Sequence, residues 1–279
     1  MKERHASGKT GASQATSVSC SSAPAAAPPY NFLEHLYAKP KKLGRTMFLC
    51  ITTNPTAGTV PVQIGSSPLA CHRVTSNVST MCTANAVNGC LEVSPGTGGL
   101  NAHYLPWSNS AVYRIALPAQ NIAGPGGNLF FTANLSGCAI LITGSPAAPV
   151  VYHANAEASA NPDLADATDG HKIGWSEATM LTAISRFDLP DLAGSDPEIQ
   201  TLRPSEYVYA QHDQVVLDGD LLKSRKSMAT VFGVRKNGMW TFYYQKGFHL
   251  HTSNQITGET TDMLVVEEFG ELWPTRKGP

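Results

Sequence analysis

The chain has 279 residues, 42% hydrophobic and only 15% charged, with 24 Gly and 19 Pro, a composition that suits a loop-rich β-containing fold better than a helical bundle and is long enough to bury a core without staples. Twenty Lys plus Arg against 21 Asp plus Glu leave a formal charge of -1, so no global field argues for nucleic acid or an anionic membrane surface as partner. No run approaches the ~18 to 20 apolar residues of a membrane span, and the start has no compact apolar segment of the signal-peptide kind.

Residues 1–30 are rich in Ser, Ala and Pro with almost no large apolar side chain, which predicts a disordered arm. Residues 31–279 show no repeat period and no composition break, and are read as one domain. Asn31 is placed to cap a short helix through Phe32, Leu33, Leu36 and Tyr37, ending near Pro40. Short apolar runs bounded by Gly, Pro, Asn and Ser then predict strands over 47–51, 59–64, 91–93, 103–105, 112–117, 129–135, 138–143 and 149–154.

The spacing of Met180, Leu181, Ile184 and Phe187 predicts a helix over 175–187, with Ser176 as its cap. Asn237 and Gly238 between two apolar runs, 228–236 and 239–246, predict a hairpin with a type I′ turn. The fold class is therefore α+β, with a sheet-rich body.

Six cysteines, Cys20, Cys50, Cys71, Cys82, Cys90 and Cys138, show no C-x-x-C or other close metal spacing, and free thiols are expected. The chemistry concentrates in 129–155, LFFTANLSGCAILITGSPAAPVVYHAN. If Thr143 pairs with Val150 across the intervening turn, Ile140 lies opposite His153 and Cys138 opposite Asn155, so Cys138 and His153 share a sheet face as diagonal neighbours. A slip of one residue would separate them.

An imidazole beside a thiol takes its proton and stabilises the thiolate, so the Cys138 pKa is expected below the free value of about 8.5. The imidazole needs an orienting partner, for which Thr132, by carbonyl or hydroxyl, and the Asn155 side chain are the candidates. The turn before the nucleophile, Ser136 and Gly137, is expected to aim backbone N–H groups at a developing oxyanion.

Four motifs occur in order: LPW at 105–107, LFFT at 129–132, LSGC at 135–138, and a strand with Pro149 followed by His153. Together they make the chain resemble the Burkholderia lethal factor type of glutamine deamidase toxin and, more distantly, the cytotoxic necrotizing factor catalytic domain. The resemblance covers roughly 100–160, with a looser echo in the hairpin at 228–246. It implies a β-sandwich-like core of mixed sheets surrounded by helices and loops, with Cys138 as nucleophile, His153 as base, Thr132 as the orienting third member, and Leu135, Ser136 and Gly137 as the oxyanion and positioning segment. It also implies conversion of a specific Gln to Glu in a host protein, such as a translation initiation factor helicase or a Rho-family GTPase.

On this reading the enzyme needs no metal or organic cofactor, acts as a monomer on a host protein without nucleic acid, and is secreted by a non-classical route or delivered to the host cytoplasm. The same Cys and His would equally serve a cysteine protease or a transglutaminase, and the fold would also serve a non-catalytic binding domain. Several other residues carry bland readings. His249 and His251 alternate on one strand without a third ligand; Cys71 and His72 point to opposite strand faces; and Trp107 reads as core or cleft wall. Asp163, Asp166 and Asp169 read as a solvated run or helix lead-in, and Trp240, Phe242, Tyr243 and Tyr244 as sheet packing.

Overall fold

A computed structural model describes residues 31–51, 58–75, 79–87, 90–95, 99–119, 127–188, 199–208 and 215–274. The arm expected over 1–30, with Cys20, and the Cys82 side chain lie outside the described residues.

Helices α1 (Phe32–Ala38) and α2 (Pro40–Thr46) precede strands β1 (Phe48–Ile51), β2 (Thr59–Val62), β3 (Ala70–Val74), β4 (Ser79–Val87), β5 (Cys90–Pro95), β6 (Leu100–Leu105) and β7 (Ala111–Ala116). Strands β8 (Leu129–Thr132), β9 (Cys138–Ser145) and β10 (Ala148–Asn155) lead to the long helix α3 (Asp169–Asp188). After it come β11 (Gln200–Leu202), α4 (Pro204–Tyr207), β12 (Val215–Asp218) and the long strands β13 (Leu221–Lys236), β14 (Met239–Asn254) and β15 (Thr260–Trp273).

The strands form two sheets. The first has the order β1-β5-β4-β6-β8-β13-β14-β15 with β12 paired to β13, and the second the order β11-β9-β10-β7-β3-β2. Parallel pairings of β1 with β5, β3 with β7 and β6 with β8 make both sheets mixed.

The inner faces pack on each other through Ile115, Ile140 and Val151 of the second sheet and Phe130, Trp240 and Phe242 of the first. Leu36 and Leu43 of α1 and α2 cover the outer face of the first sheet against Leu49, Phe131 and Phe232. Met180, Ile184 and Phe187 of α3 cover the outer face of the second against Leu141 and Tyr152. Layers thus run helices, sheet, sheet, helix, the α+β architecture with a sheet-rich core that the sequence predicts.

Strand β9 shows why the sequence reads this way. Cys138, Ile140 and Ile142 face the other sheet while Ala139 and Leu141 face α3, so both faces are buried and the strand is a continuous apolar run rather than an alternating one.

Several boundaries differ from the sequence reading. The strand predicted over 129–135 stops at Thr132, and Leu135 instead makes a single bridge with Ala229, its N–H donating at 2.7 Å and its carbonyl accepting at 3.0 Å. Pro40 does not close the helical region but opens α2 at its first turn, where a missing N–H costs nothing. Helix α3 starts at Asp169, so Ser176 is a buried mid-helix residue and not a cap. Strand β15 is rich in charge and weak in alternation, so its sequence carries no strand signal, and β14 supplies its hydrogen-bonding partner.

The hairpin is longer than predicted but turns at the expected place. Lys236 pairs with Met239, and Asn237 and Gly238 hold φ of 52 and 78, as a type I′ turn requires. A Cβ on Gly238 would meet no atom within 4 Å, so the cost of a side chain there is purely conformational. Gly238→Val is therefore expected to lower stability by about 1 kcal/mol or more, read as a drop in the urea or thermal midpoint; an unchanged midpoint would contradict the turn assignment.

Candidate active site

Strands β9 and β10 pair with Asn155 opposite Cys138 and His153 opposite Ile140, which is the register inferred from the turn. Cys138 and His153 are therefore diagonal neighbours on one face. That face is the interior of the sandwich, since Cys138 packs within the core between the sheets.

The opposite sheet supplies the third group. Thr132, the last residue of β8, places its Oγ1 2.6 Å from His153 Nδ1, and the same hydroxyl donates to the Leu105 carbonyl at 3.0 Å. A hydroxyl has one proton, so with that proton on Leu105 it accepts from Nδ1–H. The network thereby assigns the tautomer: Nε2 is the basic nitrogen. Nε2 is buried with no hydrogen-bond partner among the described residues, leaving its lone pair available for a proton. Of the two modes open to Thr132 from the sequence, the geometry selects the hydroxyl.

Asn155, the other sequence candidate for orienting the imidazole, faces the sulfur instead. Its Nδ2 donates to Cys138 Sγ at 3.1 Å, and its Oδ1 receives the Ser110 N–H at 3.5 Å. The backbone N–H of Ser136 also hydrogen-bonds the sulfur.

The remaining predicted donors are committed elsewhere. Gly137, at φ +103, gives its N–H to the Tyr207 hydroxyl at 2.9 Å, and Leu135 spends both backbone groups on Ala229. These two residues shape the turn rather than offering it as an oxyanion site, and Ser136 N–H and Asn155 Nδ2 are the donors beside the sulfur.

Tyr207 is the residue that sequence reasoning missed. Fully buried, its hydroxyl accepts from Gly137 N–H and donates to the Cys138 carbonyl at 2.7 Å. The short helix α4 delivers it: Pro204 sits at the first turn, Glu206 Oε2 accepts the Arg203 N–H at 2.7 Å, and Glu177 of α3 accepts the Ser205 N–H at 2.6 Å. The Pro-x-Glu pattern at 204–206 signals such a turn of helix, but nothing local says where its tyrosine points.

Burial sets the electrostatics. Without a counter-charge, desolvation lowers the His153 pKa to about 3, and it raises that of the Cys138 thiol against the opposing hydrogen bonds of Asn155 and Ser136. The resting pair is thus a neutral thiol and a neutral imidazole. This corrects the expectation of a depressed thiol pKa, which presumed an imidazolium that the dry interior disfavours.

Outside the pair lies a cleft of about 370 Å³ lined by Trp107, Ser136, Gly137, Asn155, Lys172 and Lys226. Trp107 is therefore a cleft wall. Cys138 is 2% exposed and lies behind Gly137 and Asn155, which line the cleft.

His249 Nε2 and His251 Nδ1 both lie against Asp262 Oδ1, at 3.0 and 2.9 Å, and no group of three metal-ligating side chains occurs among the described residues. His72 stacks on Tyr113 with centroids 4.7 Å apart while Cys71 joins the core under α3. Cys50, Cys71, Cys90 and Cys138 are free thiols. Asp163 and Asp166 are exposed, and Asp169 opens α3.

Fold and site together define a two-sheet α+β protein with a buried cysteine, a histidine and a threonine converging between the sheets. No family model matches the sequence, and no curated protein matches it. Among solved structures the chain is similar to the C-terminal domain of CNFy from Yersinia pseudotuberculosis, with 11% identity over 62% of this chain, 61% of that chain and a TM-score of 0.28. The match thus takes in less than two thirds of that domain's length.

Two outcomes follow from the geometry. Tyr207→Phe leaves the buried Cys138 carbonyl and the half-buried Gly137 N–H without their partner and should cost about 1 to 3 kcal/mol of stability; an unchanged unfolding midpoint would show that the hydroxyl is not holding the turn. Alkylation of Cys138 by iodoacetamide, followed by mass spectrometry, should be slower than that of the half-exposed Cys50 at neutral pH and rise only on the alkaline side, with no step near the ordinary histidine range. A fast Cys138 reaction at mildly acidic pH would mean a resting thiolate and overturn the neutral pair.

Proposed function

We propose that this protein is a cysteine-dependent glutamine deamidase acting on a host protein, as a toxin or effector delivered to the host cell. The observation that supports it best is the Thr132 hydroxyl on His153 Nδ1, which leaves Nε2 basic on the face that carries Cys138. A histidine held in one tautomer beside a thiol is suited to proton transfer.

In the proposed reaction a Gln carboxamide enters the cleft past Gly137 and Asn155. Cys138 Sγ attacks the carboxamide carbon as its proton passes to His153 Nε2, so the imidazolium forms only when a counter-charge appears beside it. Asn155 Nδ2 and the Ser136 N–H, already directed at the sulfur, are the donors nearest the developing oxyanion. The C–N bond then breaks, His153 returns its proton to the nitrogen, and ammonia leaves a thioester. Water, deprotonated by His153, hydrolyses the thioester to Glu and restores the thiol. Every step uses groups of this chain and water.

Incubation with a host-cell protein fraction should release ammonia with an acid-for-amide mass change in one protein. Cys138→Ser and His153→Ala should each reduce this by about 10³-fold or more, with the double variant no worse than either, because the pair acts as one unit. Thr132→Val should reduce it roughly 10-fold or more while Thr132→Ser retains it, since only the hydroxyl is required. A folded Cys138→Ser protein of full activity would eliminate the nucleophile, and fragments or incorporated amine in place of ammonia would redirect the reading to a protease or a transglutaminase.

A further inference from the structure

The catalytic cleft has a neighbour. Ser136, Lys226 and Ser227 line it and also line a second cavity, of about 410 Å³. These shared residues form a ridge, and a chain lying across it would present one side chain to each side.

The walls of the second cavity are mostly apolar, with Met228 from β13, Met263 and Leu264 from β15, and Cys50 from β1. Two carboxylates join them, Glu92 and Asp262, and their situations differ. Asp262 is already engaged, with both His249 and His251 against its Oδ1. Glu92 is half-buried on β5, directly across from Cys50 in the strand register, and its charge is close enough to disfavour ionisation of that thiol. Among the described residues no cation pairs with Glu92. A carboxylate facing an apolar cavity is stable while water reaches it, and becomes costly once the cavity fills with anything that brings no counter-charge.

That asymmetry selects the occupant. A purely apolar side chain would strip water from Glu92 without compensation, and an acidic one would add repulsion. A long aliphatic stem ending in a cation does neither: its methylenes cover Met228, Met263 and Leu264, and its head meets Glu92. Lys226 also borders the space, but it is exposed on the ridge, where solvent screens it.

We propose that the second cavity is a specificity subsite receiving a Lys or Arg side chain close to the target Gln, with Glu92 as its counter-charge. The subsite rests on the reading of the adjacent cleft as the place where the Gln carboxamide enters. Because the two cavities share Ser136, Lys226 and Ser227, the basic residue stands close to the Gln along an extended chain.

Cys50 reports on this cavity directly, so occupancy is measurable without turnover. The full chain is treated with iodoacetamide in the presence of three short peptides, identical except for Arg, Leu or Glu beside a central Gln, and alkylation of Cys50 is followed by mass spectrometry. Each rate is taken relative to the same protein without peptide, which removes any direct effect of a variant on the thiol. The Arg peptide is expected to slow Cys50 alkylation about tenfold more than the Leu peptide, with the Glu peptide without effect. Glu92→Gln should abolish the preference, and Glu92→Arg should transfer it to the Glu peptide. Equal protection by all three peptides, none from the Arg peptide at millimolar concentration, or Arg protection unchanged in Glu92→Gln would each overturn the subsite. Arg-selective protection without ammonia release from any host protein would keep the binding site and remove the reaction. Cys138-dependent ammonia release without Arg-selective protection would do the reverse.

Discussion

The hydrogen bond between Thr132 Oγ1 and His153 Nδ1 joins the two sheets beside the buried thiol. Thr132 belongs to β8 of one sheet, His153 and Cys138 to β10 and β9 of the other. The imidazole therefore keeps its orientation only while the sheets keep their separation, and that separation is fixed by the apolar side chains packed between them. Core packing and site geometry are in this sense a single property. The helices on the outer faces extend the dependence, since α1 and α2 hold one sheet and α3 the other.

Burial at such a point has a cost that the structure meets group by group. Gly137 N–H and the Cys138 carbonyl are satisfied by Tyr207, the thiol by Asn155 and Ser136, and Nδ1 by Thr132. Nε2 is the polar atom of the set without a partner. In a dry interior an unpaired acceptor is expensive, and the proposed chemistry gives it a use, because a proton arriving there comes from the adjacent thiol and leaves a thiolate as counter-charge. On that proposal the low His153 pKa, a consequence of burial, belongs to a base held neutral until substrate arrives.

On the outer side, the turn before Cys138 and strand β13 border both cavities. Ser136 stands two residues before the thiol and also forms the ridge with Lys226 and Ser227. Movement of that ridge would alter both cavities together, which in the proposed reaction would couple selection of a substrate segment to placement of the carboxamide. The link exists because Leu135, beside Ser136, is bridged to Ala229 on β13.

What the sequence determined by itself was local. The turn between β9 and β10 and the period of two along each strand set which residues share a face, so Cys138 and His153 could be put on one side of a sheet from the chain alone. Asn237 and Gly238 likewise carried their turn in their own backbone preferences. The tertiary structure decided everything that depends on one segment meeting another far away. Tyr207 reaches Cys138 from 69 positions along the chain, and Thr132 reaches His153 from the opposite sheet across 21. Asn155 turned to the sulfur, Gly137 gave up its amide, and β15 found a partner that its own sequence does not advertise. The thiol pKa follows the same rule: a cysteine near a histidine suggests a thiolate, but which charge state survives is set by how much water the packed sheets exclude, a quantity that no short stretch of sequence contains.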